Sequence, residues 1–392
     1  MQMKSCVVLG GGIWQEFLIR FLQEKGYFVH VVNPVVTPTV QLGDHHLQLD
    51  ILHVDAIYEA ILQDGYRPSF VVSDQSDVAV IPVAQLAQKL GLPGNPTEAI
   101  TLFTDKNRMY DYAERLGIPV LPYAPIREIC DVSEFLKRCD FPIVLKPSDS
   151  TNSRGFSIVG SAADVAVAYR HAMENSNSHT AVVQKFFPAI FQLTVEGVAS
   201  GGCHKTLCFS HKDEYLAPGF SRSIRWPFKS PLINQIRDYN DRFVNGSGLR
   251  FGITHGEYLV GGQQIWFNEI AARGGGYRIS SDIVPWVTGV NVMEILYQSL
   301  LGQSVNLDAL AVRDKAAIIR FYRSSELKPD IDKVQMGGIK GLLEFRSDYI
   351  QHLYATDESN PRDCFAILLA EDDVDLDRCI RRLEQLICSR PC

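Results

Sequence analysis

Apolar runs alternate with helical-period segments through the first hundred positions. Ser5–Leu9 and Phe28–Val32 read as buried strands, with a helix over 15–25 between them. Residues 70–73 read as a further strand, and a helix over 78–90 follows, closed by Gly91. Strands that alternate with helices build a parallel sheet. The cluster Leu92-Pro93-Gly94-Asn95-Pro96 then punctuates the end of a unit. Past it, the pattern predicts a helix over 104–116, capped by Thr104 or Asp105. A mixed region runs to about Gly302. In the tail, strand-like runs at 317–322 and 365–369 precede an amphipathic helix over 375–388. Its stripe of Leu376, Cys379, Ile380, Leu383 and Ile387 reads as a packing face. Three units are therefore expected: an α/β unit over 1–100, a central region over 101–302 and an α+β region over 303–392 packing on the centre.

Composition narrows the function classes. Of 392 residues, 46% are hydrophobic and 21% charged, ordinary values for a soluble globular protein. A formal net charge of −7 argues against nucleic acid as the main partner, because phosphate neutralisation needs clustered lysine and arginine. No apolar run approaches the roughly 20 residues that span a bilayer, so no membrane partner is expected, and the first residues lack a signal-peptide pattern. The 9 cysteines are scattered and odd in number, with no C-x-x-C pair. That signals neither a disulfide framework nor a zinc site, and reduced thiols in a cytoplasmic protein are the expectation. Gly10-Gly11-Gly12 invites a dinucleotide reading. The fingerprint fails, because Gln15 stands where its third glycine belongs and the second strand ends in Asn33.

The chemistry gathers in the centre. Glu257 in "THGEYLV" and Glu269 in "WFNEIAA" flank Gly261-Gly262, which reads as a β-hairpin. Register decides their relation. A two-residue turn on the glycines pairs Glu257 with Trp266 and sets the acids on opposite faces. A three-residue loop with a glycine bulge over 261–263 pairs Glu257 with Phe267 and puts both on one face. Converging carboxylates want a divalent cation. Lys106 lies near a helix start, and Lys146 ends an apolar strand, where a buried ammonium needs a partner. The loop behind it, 148–155, is dense in Ser, Asp, Thr, Asn and Gly and offers hydroxyls and N–H groups to phosphate oxygens. Arg273 precedes Gly274-Gly275-Gly276, a forked donor followed by backbone that admits close approach.

In this order Asp105-Lys106, "GIPVLP", "FPIVLKP", "SRGF", "VVQKFFP", "HGEY" and "NEIAAR" resemble the ATP-grasp superfamily of ligases over most of residues 100–300. The resemblance implies an α/β protein of ATP-grasp fold: an N-terminal parallel, Rossmann-like domain, central nucleotide-binding α+β domains and a C-terminal α+β region. It implies ATP with Mg2+, or Mn2+ in its place. Lys106 and Lys146 would reach the phosphates, with Ser153 and Gly155 in a flap over them. Gln184, Lys185 and Phe187 would border the adenine, and Gln192 the ribose. Glu257 and Glu269 would hold the metal, and Lys146, Glu269 and Arg273 would serve catalysis. Gly275 and Gly276 would approach the substrate, with His255, Arg222 and Arg225 as further substrate contacts. Gln184 and Gln192 stand where the family usually carries glutamate, and Ala271 where many members carry asparagine.

The activity this implies is an ADP-forming ligase joining a carboxylate, of amino acid type, to an amine through an acyl phosphate. The alternatives are a carboxylase that uses bicarbonate through carboxyphosphate, and a nucleotide-binding module without catalysis. The expected partners are small acids and amines, and a homodimer is compatible with the sequence.

Overall fold

A computed structural model describes residues 4–151, 153–217, 220–329, 331, 338–347 and 362–389. Three sheets organise them. Strands β1 (Ser5–Leu9), β2 (Phe28–Val32), β3 (His45–Leu47) and β4 (Pro68–Val72) form a sheet of order β3-β2-β1-β4, parallel throughout. Helix Glu16–Glu24 crosses from β1 to β2 and helix Val54–Gln63 from β3 to β4, and helix Asp77–Leu90 follows β4. Gly91 ends the last of these at φ +66, a left-handed cap that glycine adopts without strain.

The second sheet holds β5 (Tyr123–Ile126), β6 (Ile143–Pro147), β7 (Ser157–Val159) and β8 (Ala181–Lys185) in the order β5-β8-β6-β7. Helix Lys106–Arg115 leads into it, and Asp105 is the N-cap, its carboxylate accepting from Asn107 N at 2.9 Å.

The third sheet is the largest. It orders β9 (Phe191–Ser200), β10 (Cys203–Ala217), β11 (Phe220–Trp226), β12 (Gly252–Gly261), β13 (Gln264–Ala271), β14 (Ala316–Tyr322), β15 (Leu342–Arg346) and β16 (Cys364–Ala370) as β13-β12-β9-β10-β11-β14-β16-β15. The tail strands therefore extend this large sheet through the β11–β14 pairing. The helix expected at the end runs over Asp373–Ile387 and buries Leu376, Leu383 and Ile387 against the tail strands, as its stripe requires. No helix among the described residues is long and apolar enough to cross a membrane.

The β12–β13 hairpin corrects both registers considered from sequence. Gly261 pairs with Gln264, so the turn is the two-residue Gly262-Gln263, with Gly262 at φ +62. Tyr258 pairs with Phe267, but the register then shifts and Glu257 pairs with Glu269. Asn268 is the extra residue of a β-bulge placed beside the acids, not at the turn.

Candidate active site

Because Glu257 and Glu269 are cross-strand partners, their side chains leave one face of the large sheet together. The bulge turns Asn268 the same way. Its Nδ2 donates to Glu257 Oε2 at 3.3 Å, and its Oδ1 accepts from Lys146 Nζ at 3.2 Å. Lys146 comes from the end of β6 and Lys106 from the N-terminus of helix Lys106–Arg115; both are buried. Lys106 Nζ reaches Glu269 Oε2 at 3.2 Å and donates to the Ser150 carbonyl at 2.8 Å. It thereby ties the root of the 148–155 loop to the acids. Burial pushes the Lys146 ammonium below its ordinary value, and Glu269 and Glu257 oppose that shift.

Glu257 is the hub. Lys212 from β10 pairs with its Oε1 at 2.5 Å, and Gln192 from β9 donates to its Oε2. His255 lies 3.7 Å away through Nε2 and bonds the buried Glu196 through Nδ1 at 2.8 Å. Burial alone would raise the Glu257 carboxyl, but Lys212 and His255 hold it well below the usual carboxylate range. Burial alone would lower the His255 imidazole, yet Glu196 and Glu257 lift it to about 9 against the opposing charge of Arg273. Near neutral pH the imidazole is a cation between two carboxylates.

Arg273 closes the cluster from the N-terminal side. Its Nη2 pairs with Asp77, the first residue of helix Asp77–Leu90, at 2.7 Å, and its Nη1 donates to the Gly274 carbonyl at 3.0 Å. Burial opposes its charge, but Asp77 leads the groups that keep its pKa above the ordinary value. Gly274 N donates to the Asp74 carbonyl at 2.7 Å, so the glycine loop rests on the end of β4. A β-carbon on Gly274 would stand 1.8 Å from Ser280 Oγ, and one on Gly275 would stand 3.2 Å from His255 Nδ1. Only bare backbone fits. Gly276 adjoins the indole of Trp14, in the loop after β1.

Gln184 and Lys185 end β8, and Phe187 follows. Gln184 is buried with its Nε2 unpartnered, a donor left free at the strand end. Lys185 Nζ donates to the Asp140 carbonyl at 3.3 Å. The Phe187 ring covers Gly261, where a β-carbon would lie 2.6 Å from it, and meets Trp266 edge-on. Ser153 is exposed at φ +58, and Gly155 at φ +73 abuts Pro147 so closely that a β-carbon would lie 2.6 Å away.

Arg222 and Arg225 do not join this cluster. They lie on β11 and answer to the C-terminal residues. Arg222 forms a fork with Glu326, at 3.1 and 2.7 Å, and Arg225 binds Asp373 at 3.0 Å and Asp377 at 2.7 Å. In this structure both guanidinium groups pair β11 with the C-terminal residues.

No family model matches the chain. It is 29% identical over 280 residues, 68% of each chain, to the formate-dependent phosphoribosylglycinamide formyltransferase of Burkholderia pseudomallei (strain 668). In structure it superimposes on L-amino acid ligase from Bacillus licheniformis with TM-score 0.78 and 16% identity, covering 98% of each chain. It is equally similar, at TM-score 0.78 and 15% identity over 99% of this chain and 91% of the other, to the biotin carboxylase domain of the Hydrogenobacter thermophilus 2-oxoglutarate carboxylase, solved with MgADP, ADP and bicarbonate. The chain has the ATP-grasp fold. Within that ATP-grasp frame, sequence reasoning missed Lys212, Glu196, Asn268 and Asp77. Lys212 sits in the run "HKDEY", whose alternation carries no sign of which face meets β9, and Asp77 lies far along the chain from the arginine it binds.

Proposed function

We propose that this protein is an ATP-dependent, ADP-forming ligase that joins a small carboxylic acid to an amine. The observation that carries the reading is the direct opposition of Glu257 and Glu269, with Lys106 and Lys146 reaching into the same cluster from separate elements. Interleaved carboxylates and buried ammonium groups suit a polyanion that arrives with its own counter-ion. Glu257 and Glu269 would hold a divalent ion that neutralises the nucleotide's phosphates. Lys106 and Lys146 would bind phosphate oxygens, and the unpartnered Gln184 amide with Lys185 and Phe187 would border the base. Gln192 would then exchange Glu257 for a ribose hydroxyl.

A carboxylate oxygen of the acid attacks the γ-phosphorus, the bond to the ADP oxygen breaks, and an acyl phosphate forms. The amine lone pair then adds to the acyl carbon, the nitrogen loses a proton and inorganic phosphate leaves. Arg273 and the N–H groups of Gly275 and Gly276 would steady charge on the acyl oxygen. Formate in the name of the sequence relative and amino acid in that of the structural neighbour both support a small acid.

The test is phosphate release with Mg·ATP across amino acids in pairs, with formate plus amines, and with bicarbonate plus amines. Release that needs an organic acid and an amine together supports the proposal. Release with bicarbonate alone as the acid makes the protein a carboxylase instead. ATP binding without release from any mixture makes it a nucleotide-binding module.

A further inference from the structure

Lys106, Lys146 and Lys212 all enter the acid cluster, and they are held differently. Lys106 Nζ pairs with Glu269 at 3.2 Å and Lys212 Nζ with Glu257 at 2.5 Å. Lys146 makes no ion pair among the described residues, although Glu269 and Glu257 both act on its charge. Its ammonium meets the Asn268 Oδ1 acceptor at 3.2 Å and lies over the ring of Tyr110, 5.5 Å from the centroid.

Tyr110 stands one turn beyond Lys106 on helix Lys106–Arg115, so the two side chains share a face of the helix. The ring is fully buried, and two aromatic neighbours fix its plane. Tyr123 of β5 meets it edge-on at 5.0 Å, and Phe267 of β13 meets it edge-on at 6.4 Å. Phe267 immediately precedes Asn268. One packed unit therefore sets both the ring face and the amide that meet Lys146. An aromatic face is electron-rich and attracts an ammonium most strongly where water is excluded. Burial disfavours the charge on Lys146, and the ring offsets part of that cost. A carboxylate partner would offset it too, but would cancel the charge that a phosphate needs.

We propose that Tyr110 is a positioning residue whose ring holds Lys146 off Glu257 and Glu269, so that the ammonium meets a phosphate oxygen without first breaking an ion pair. Without the ring, the flexible lysine stem swings to a carboxylate, and an arriving polyphosphate must compete for it. Tyr110 acts through Lys146 and needs no contact of its own with the nucleotide. This assignment rests on the nucleotide reading of the cluster, and its test reads binding, not turnover.

The experiment is calorimetric titration with Mg·ATP of the whole protein and of Tyr110→Leu, Lys146→Met and the double variant. Tyr110→Leu is expected to weaken ATP roughly five- to thirtyfold, the reach of a desolvated cation–π contact. In the Lys146→Met background the same change should cost nothing further. Tyr110→Phe keeps the ring face and should stay within about twofold of wild type. Tyr110→Met replaces the leucine variant should that one not fold. Phe243→Leu is the packing control, because Phe243 stacks on Phe267 at 5.2 Å; it should melt earlier with ATP affinity unchanged. Equal losses with and without Lys146, a Tyr110→Phe variant as weak as Tyr110→Leu, or a matching loss in Phe243→Leu overturns the assignment and leaves the nucleotide site standing. Failure of the wild-type protein to bind Mg·ATP overturns both. Coupled losses in a protein that releases no phosphate from any acid–amine mixture sustain the role of Tyr110 and remove the ligase.

Discussion

Glu257 and Glu269 face one another across the β12–β13 hairpin because Asn268 bulges out of the strand between Phe267 and Glu269. Were the same sequence paired without a bulge, Glu257 would face Asn268 and Glu269 would turn to the other face. The bulge also delivers its own amide between Glu257 and Lys146. One inserted residue thus sets the spacing of two acids and one cation.

Glu269→Gln removes a charge while preserving shape. The side chain is one-third exposed, at 33%, and its partner Lys106 keeps the Ser150 carbonyl, so the fold should survive. Turnover should fall by at least about 100-fold, the scale of losing a group that acts electrostatically at the reacting centre. ADP release and the far-ultraviolet circular dichroism spectrum check this together. Near-native turnover in a folded variant sinks the assignment of the acids.

Asn268 deletion and substitution separate the bulge from its amide. Removing the residue straightens the ladder yet leaves Glu257 opposite Glu269, because Glu269 then follows Phe267 directly, so the acids should stay together and turnover should fall only as far as losing the amide requires. Asn268→Ala keeps the bulge and loses only two hydrogen bonds; a five- to tenfold loss, about 1 kcal/mol, is expected. A deletion that abolishes turnover in a folded protein, with Asn268→Ala only mildly impaired, would mean that the bulge itself and not only the opposition of the acids is required.

Much of this was legible beforehand. Strands β1 and β2 appear at the residues their apolar runs mark, and Asp105 caps the helix that carries Lys106. The hairpin was legible too, since Gly261-Gly262 separates two strand patterns. The bulge was not, because alternation of side chains says nothing about an inserted asparagine that can point to either face. Arg225 misled for a different reason. Its partner Asp373 stands 148 positions away, so locally it reads as an unclaimed cation.

Arg225→Ala tests that structural reading. The pairs with Asp373 and Asp377 are part-exposed on the acidic side, at 45% and 47%, so solvent screening limits their worth to about 1 kcal/mol. Thermal unfolding should begin a few degrees lower, with KM for every substrate unchanged. A raised KM with unaltered stability would return Arg225 to the substrate.

Lys212→Met leaves Glu257 as a buried anion with His255, Gln192 and Asn268 but without its closest cation. Stripping one partner from a buried pair destabilises by about 3–5 kcal/mol, less here because the imidazolium remains. The protein should melt earlier in chelator and recover most of the loss in millimolar Mg2+, as a divalent ion takes the vacated role. A melting temperature blind to Mg2+ would argue that Glu257 does not bind metal.

Asp74 supplies the pH dependence. Burial raises its carboxyl from 3.8 to about 6, against the lowering hydrogen bond from Gln75. Between those values the folded chain holds a proton that the unfolded chain has released, so stability falls as pH rises. The favourable contribution is complete below pH 3.8 and gone above about pH 6, a swing on the order of 3 kcal/mol. Asp74→Asn abolishes the titration. Relative to wild type, the variant should therefore gain stability between pH 4 and pH 7, read as a widening difference in denaturation midpoint. Parallel stability curves for the two proteins across that range would show that burial does not raise the Asp74 carboxyl.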